Sequence, residues 1–122
     1  MSEGRRYVCG HRLPALEADV LELLLAAPAP MTVAEVQQAL AGTPRAHTTV
    51  STLLTRLSDR GLVTRQLRDR IYEWSPAASA QELTIAALHQ VLDGVENPDA
   101  VVLGFLDTVR GKRRRNPPQA NK

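Results

Sequence analysis

From Arg45 to Arg65 the chain reads RAHTTVSTLLTRLSDRGLVTR, and one side of this stretch is stocked with groups that bond to oxygen-rich partners. The hydroxyls of Thr48, Thr49, Ser51, Thr52 and Thr55 both donate and accept hydrogen bonds, and Arg56 carries a permanent charge on a fork of N–H donors. Val50, Leu53, Leu54 and Leu57 recur at i, i+3, i+4 and i+7, so the spacing predicts a helix with one apolar face. The opposite face is therefore built of hydroxyls and a cation. Ser and Thr hold a helix less well than Ala, Glu or Lys, so an exposed face rich in them is either merely solvated or shaped to lie against something. Small hydroxyl side chains suit close approach to phosphates and base edges, a Thr methyl can meet the thymine methyl, and Arg suits phosphate or guanine.

Charge points the same way. Net charge is only +2, but residues 1–44, 45–70, 71–109 and 110–122 carry balances of −2, +4, −6 and +6. A cationic region around the hydroxyl-bearing helix, flanked by an anionic segment and followed by a basic run, is the footprint of a nucleic-acid binder or of a binder of acidic surfaces. Within the cationic region Arg45 and His47 lead into the helix, and Arg68 and Arg70 follow it. An enzyme reading fails on inventory: no Ser/His/Asp or Cys/His grouping, glycine-rich phosphate loop or paired carboxylates stand at a working spacing. Cys9 is the only cysteine, which excludes an internal disulfide and a four-cysteine zinc centre. Cys9 and His11 offer two metal ligands, too few for a closed site. No metal and no cofactor are expected. The start lacks an apolar signal region and no apolar stretch spans a bilayer, so a cytoplasmic protein without membrane contact is expected.

The elements that must hold these groups follow from periodicity and caps. LEADVLELLLAA sets Leu16, Val20, Leu23 and Leu24 on one helical face, ending at Pro28 and Pro30. Thr32 with Glu35 forms a capping box for a short second helix, closed by Gly42. The third helix runs from about His47 to Arg60, with Gly61 past its end. LVTRQL and RIYEWS, rich in β-formers and joined through Arg68, Asp69 and Arg70, read as a hairpin. Helix, helix, break, helix and then a hairpin is the order of a winged helix-turn-helix domain. Tyr72 and Trp74 read as packing residues of that wing. Ser79 with Glu82 caps a fourth helix, and Asn97 with Pro98 opens a fifth that ends before Gly111. The fold class is mainly α with a small β wing: an arm over 1–12, a winged helix-turn-helix domain over 13–77, further helices over 78–111 and a basic, disordered tail over 112–122.

The last two helices carry more apolar surface than such a small domain can cover. Leu83, Leu88, Val91, Leu92, Val102, Phe105 and Leu106 therefore predict a two-fold dimer, which would present two recognition helices about one DNA turn apart. The alternatives are a winged-helix module that uses the same face on a protein, or a ligand- or metal-responsive sensor of the same fold, which would need a pocket.

LPALEADVLELL, MTVAEVQQAL, TTVSTLLTRLSDRGLV and RIYEWSP, spanning residues 13–76 without a gap, resemble the LxxLExxVL, TVxEV, TTVxTLLxRLxxKGLV and RxYxYSP segments of the BlaI/MecI/CopY penicillinase repressors. The resemblance implies a dimeric repressor that occupies a dyad operator in double-stranded DNA through Thr48, Thr49, Ser51, Thr52 and Arg56, with Arg45, His47, Thr55, Arg68 and Arg70 around them. Two family features are missing. Phe105 follows Gly104 instead of the Asn of the cleaved Asn-Phe bond in β-lactam-responsive members, and no Cys-x-Cys pair of the copper-responsive kind is present. The inducer therefore does not transfer with the resemblance.

Overall fold

The computed structural model describes residues 4–115. The chain divides into two compact units, one up to Leu88 and one from His89 onward.

The first unit opens with an antiparallel hairpin, β1 (Arg5–Val8) against β2 (His11–Pro14). Where the sequence suggested a plain arm, the backbone reverses at Cys9 and Gly10, both at positive φ (51° and 83°), the pattern of a type I′ hairpin turn. A Cβ on Gly10 would stand 2.8 Å from that of Ala87, so only glycine lets the tip seat there. Pro14 then leads into α1 (Ala15–Ala26), whose Ala18, Val20, Leu21 and Leu24 are buried. This helix packs on β1, β2 and α3 and so forms the floor of the unit.

Thr32 and Glu35 make the expected capping box for α2 (Val33–Ala39): the Glu35 N–H donates to Thr32 Oγ1 at 3.1 Å and the Thr32 N–H to Glu35 Oε1 at 2.9 Å. α3 (His47–Asp59) buries Val50, Leu53, Leu54 and Leu57, the four residues its spacing singled out. Gly61, at φ 78°, turns the chain into β4 (Val63–Arg68). The wing is β4 paired with β5 (Ile71–Pro76) through a tight turn at Asp69 and Arg70, again both at positive φ. A short strand, β3 (Met31–Thr32), adds to the far side of β5, giving the sheet order β3-β5-β4. Three helices with this small sheet are a winged helix.

α4 (Ala80–Leu92) starts with a second capping box, the Ser79 and Glu82 backbone N–H groups each donating to the other's side chain at 3.0 Å. Its Leu83 and Ala87 are buried in the first unit. Leu83, placed on the dimer face by periodicity, is therefore a core residue of its own chain: it is 6 % exposed and belongs to the cluster with Val8 and Leu13. Leu88 and Val91 stay exposed at 46 % and 71 %.

In the second unit α5 (Pro98–Arg115) is opened by Asn97, whose Oδ1 accepts from the Ala100 N–H at 3.2 Å. The helix does not stop before Gly111 but continues to Arg115. A glycine inside a helix costs about 1 kcal/mol against alanine and does not forbid continuation. The tail expected over 112–122 thus overlaps this helix at 112–115, and 116–122 lie outside the described residues. Among the described residues no helix is long and apolar enough to cross a membrane.

Candidate nucleic-acid interface

α3 enters without a side-chain cap at Ala46, and its start is held instead by α2: Gln37 Nε2 donates to the Arg45 carbonyl at 2.6 Å. With one face sunk in the core, the helix presents His47, Thr48, Thr49, Thr52, Thr55 and Arg56 outward, with Ser51 half-buried. Thr48, Thr49, Thr52 and Arg56 line one shallow depression floored by Leu53. His47, Ser51 and Arg70 share a second depression with the wing. The structure therefore brings most of the sequence-derived residues into two adjoining hollows on one side of α3.

Not all of them are equally free. Thr55 Oγ1 donates to the Ser51 carbonyl at 3.0 Å, the i−4 back-bond of a helical threonine, so its hydroxyl proton is engaged within the helix. Arg45 is half-buried, and its Nε is buried without an acceptor among the described residues. Arg68 lies on the wing 3.9 Å from Glu73 and remains 74 % exposed, so this long pair restrains it little.

A feature that sequence reasoning missed sits beneath α3. Glu17 of α1 is 5 % exposed at its side chain and lies 3.7 Å from Arg56 and 3.9 Å from Arg60. Among the described residues its Oε1 has no hydrogen-bond partner. A carboxylate out of water needs compensating charge, and the two guanidinium groups supply it at long range. Arg56 is thus answered from below while 62 % of its side chain faces outward. The i, i+4 spacing within α3 puts Arg56 and Arg60 on one side of the helix, but their shared partner is far away in sequence.

Arg65 was also missed. Register places it opposite Trp74 on the face of β5 that also carries Tyr72. Its guanidinium lies 4.0 Å from the Tyr72 ring centroid and 5.7 Å from that of Trp74, within the range of cation–π attraction. Period-two alternation carried across a two-residue turn would have predicted this stack. Trp74 is packed, as expected, at 3 % exposure, yet its indole Nε1–H is buried without an acceptor among the described residues. Cys9 and His11 gather no further ligands: among the described residues no group of three or more His, Cys, Asp or Glu could hold a metal ion.

The family model described as Penicillinase repressor matches residues 13–112. No curated protein matches the sequence. Among solved structures, the chain is similar to MepR of S. aureus in a complex with DNA, at 21 % identity and a TM-score of 0.48, over 78 % of this chain and 77 % of that one. It is also similar to a MarR/EmrR family transcriptional regulator from Acinetobacter sp. ADP1, at 18 % identity and a TM-score of 0.48, over 84 % and 78 % of the two chains.

Proposed function

The chain belongs to the penicillinase repressor family of DNA-binding transcriptional regulators, and from that membership we propose that it acts in the cytoplasm as a homodimeric repressor seated on a dyad operator. The observation that carries this reading is the uncovered side of α3. Thr48, Thr49, Ser51 and Thr52 read base edges, and Arg56 with His47 sets the helix against phosphates. Arg68 and Arg70 extend the contact from the wing, with Arg45 and Thr55 at its margins. No acidic side chain lines either hollow on this side of α3, which favours a polyanion there.

Dimerisation rests on α5 and the end of α4. Val102, Phe105 and Leu106 are 36 %, 60 % and 36 % exposed, and Leu88 and Val91 are likewise uncovered. Leu92 is half-buried. Apolar surface of this extent on a short chain calls for a cover, and a second copy supplies it with two-fold symmetry.

Binding of the purified protein to a labelled duplex library, followed by footprinting of the selected sites, tests the proposal. The expected result is a two-fold-related site whose half-sites lie about one helical turn apart, bound with a steep inverse dependence on salt. Weak, salt-insensitive binding without a selected sequence would instead indicate a protein-interaction module.

A further inference from the structure

We propose that the groove between α2, the start of α3 and the wing is an effector site for a planar, two-ring aromatic carboxylate. The cavity measures about 480 Å³, inside the range of roughly 300 to 1,000 Å³ that small-molecule sites occupy. Its surface is mostly apolar, with Val33 on one side and Ile71, Tyr72 and Trp74 on the other. That wall suits a flat hydrocarbon body.

The polar groups set the sign of the ligand. Arg65 and Arg70 line the groove, and no acidic residue does. Among the described residues neither arginine has a carboxylate in ion-pair range. Arg65 is stacked on Tyr72 through its face, which leaves the in-plane N–H donors of its guanidinium free to fork onto a carboxylate. Trp74, 3 % exposed, backs the groove from the core side and adds to its apolar wall.

Position makes such a ligand an effector. His47, Ser51 and Arg70 line the groove and also belong to the DNA-facing set, so ligand and duplex cannot both hold them. This coupling rests on the DNA reading above, whereas the groove's chemistry does not. With simple competition, ligand at ten times its dissociation constant raises the apparent Kd for duplex about elevenfold.

Calorimetric titration of the full chain with 2-naphthoate, and with the uncharged 2-naphthamide, tests the site without DNA. The carboxylate is expected to bind, and the amide to bind roughly ten- to a hundredfold more weakly, the range for losing a hydrogen bond to a charged group. Arg65→Gln should cost a similar factor, and Ala34→Phe, which fills the groove from α2 at an exposed position, should abolish binding; thermal melts confirm that both variants fold. No heat at millimolar naphthoate, equal binding of the amide, or indifference to both variants overturns the site. Fluorescence anisotropy of a labelled duplex then tests the coupling: an unchanged duplex Kd with naphthoate bound removes the effector role and leaves a ligand site. A wild-type chain that binds naphthoate but no duplex refutes the DNA reading instead.

Discussion

α3 and α5 are both helices that leave a face uncovered, but the two faces want opposite partners. In α3 the apolar side, Val50, Leu53, Leu54 and Leu57, is 0–6 % exposed, so the chain's own core fixes how the helix is aimed. What remains outside is hydroxyl and guanidinium, which water satisfies until a polyanion replaces it. In α5 every side chain from Val101 to Arg110 is exposed, and six of them are large and apolar. Each 100 Å² of such surface withdrawn from water is worth on the order of 2.5 kcal/mol. Most of a helix's stability in a protein comes from packing its amphipathic face. On the proposed reading, exposure means readiness for DNA at α3 and a need for cover at α5.

The largest effect should come from putting charge where cover is needed. Leu88→Asp combined with Phe105→Asp would bury two carboxylates in the proposed dimer, a cost of several kcal/mol. Sedimentation velocity should find the wild type dimeric and the double variant monomeric at the same concentration, with the melting of the winged-helix unit little changed because both residues are exposed among the described residues. A double variant that stays dimeric would break the contrast by showing that α5 is not the covered face.

The next effect belongs to α3. Ser51→Ala or Thr52→Ala should change discrimination between operator variants by about 1 to 3 kcal/mol, while Arg68→Ala on the wing should weaken all duplexes alike and lower the salt slope by about one. Side-by-side titrations on specific and random duplex measure both. If all three variants weaken both duplexes equally, the hydroxyl face is not reading sequence.

These two helices also mark what sequence can disclose. Their apolar spacing, the Thr32–Glu35 and Ser79–Glu82 boxes and the Asn97 cap are local patterns, and each appears where periodicity and cap chemistry put it. The features that escaped depend on distant partners. Nothing in RRYVCGHRLP announces a hairpin, since cysteine seldom takes positive φ. That turn exists because Gly10 fits against Ala87, far along the chain. Leu83 and Leu88 are two of several apolar residues on α4, but at i and i+5 they lie about 140° apart, and the tertiary core buries the first and leaves the second exposed. Glu17 looks like any acid in a first helical turn until Arg56 and Arg60 are found above it.

That buried carboxylate yields a smaller test of how α3 is held. Glu17→Gln removes a negative charge from beneath the DNA-facing helix and should tighten random duplex at low salt by up to about 1 kcal/mol, the scale of a partly screened charge pair. Arg56→Ala should do the reverse and also lower the melting temperature, because Glu17 keeps its burial and loses a counter-charge. Anisotropy and thermal melts separate the two readouts. If Glu17→Gln weakens binding as much as Arg56→Ala does, the carboxylate serves to aim the arginine, and its charge is secondary.

The smallest expected effect examines α5 alone. At about 100° per residue, Val101, Val102, Phe105, Leu106 and Val109 gather on one side of the helix, and Gly104 falls well outside that arc. A Cβ added at Gly104 meets nothing within 4 Å among the described residues. Gly104→Ala should therefore stabilise the helix by about 0.5 to 1 kcal/mol, through the lost backbone freedom of the unfolded chain, and leave the dimer constant unchanged. Helix content by circular dichroism and dimer affinity by sedimentation equilibrium report the two quantities separately. Stronger helix with weaker dimer would place Gly104 at a close approach between the copies, moving the interface off the Phe105 side and turning α5 from a helix covered along one stripe into one packed through its glycine.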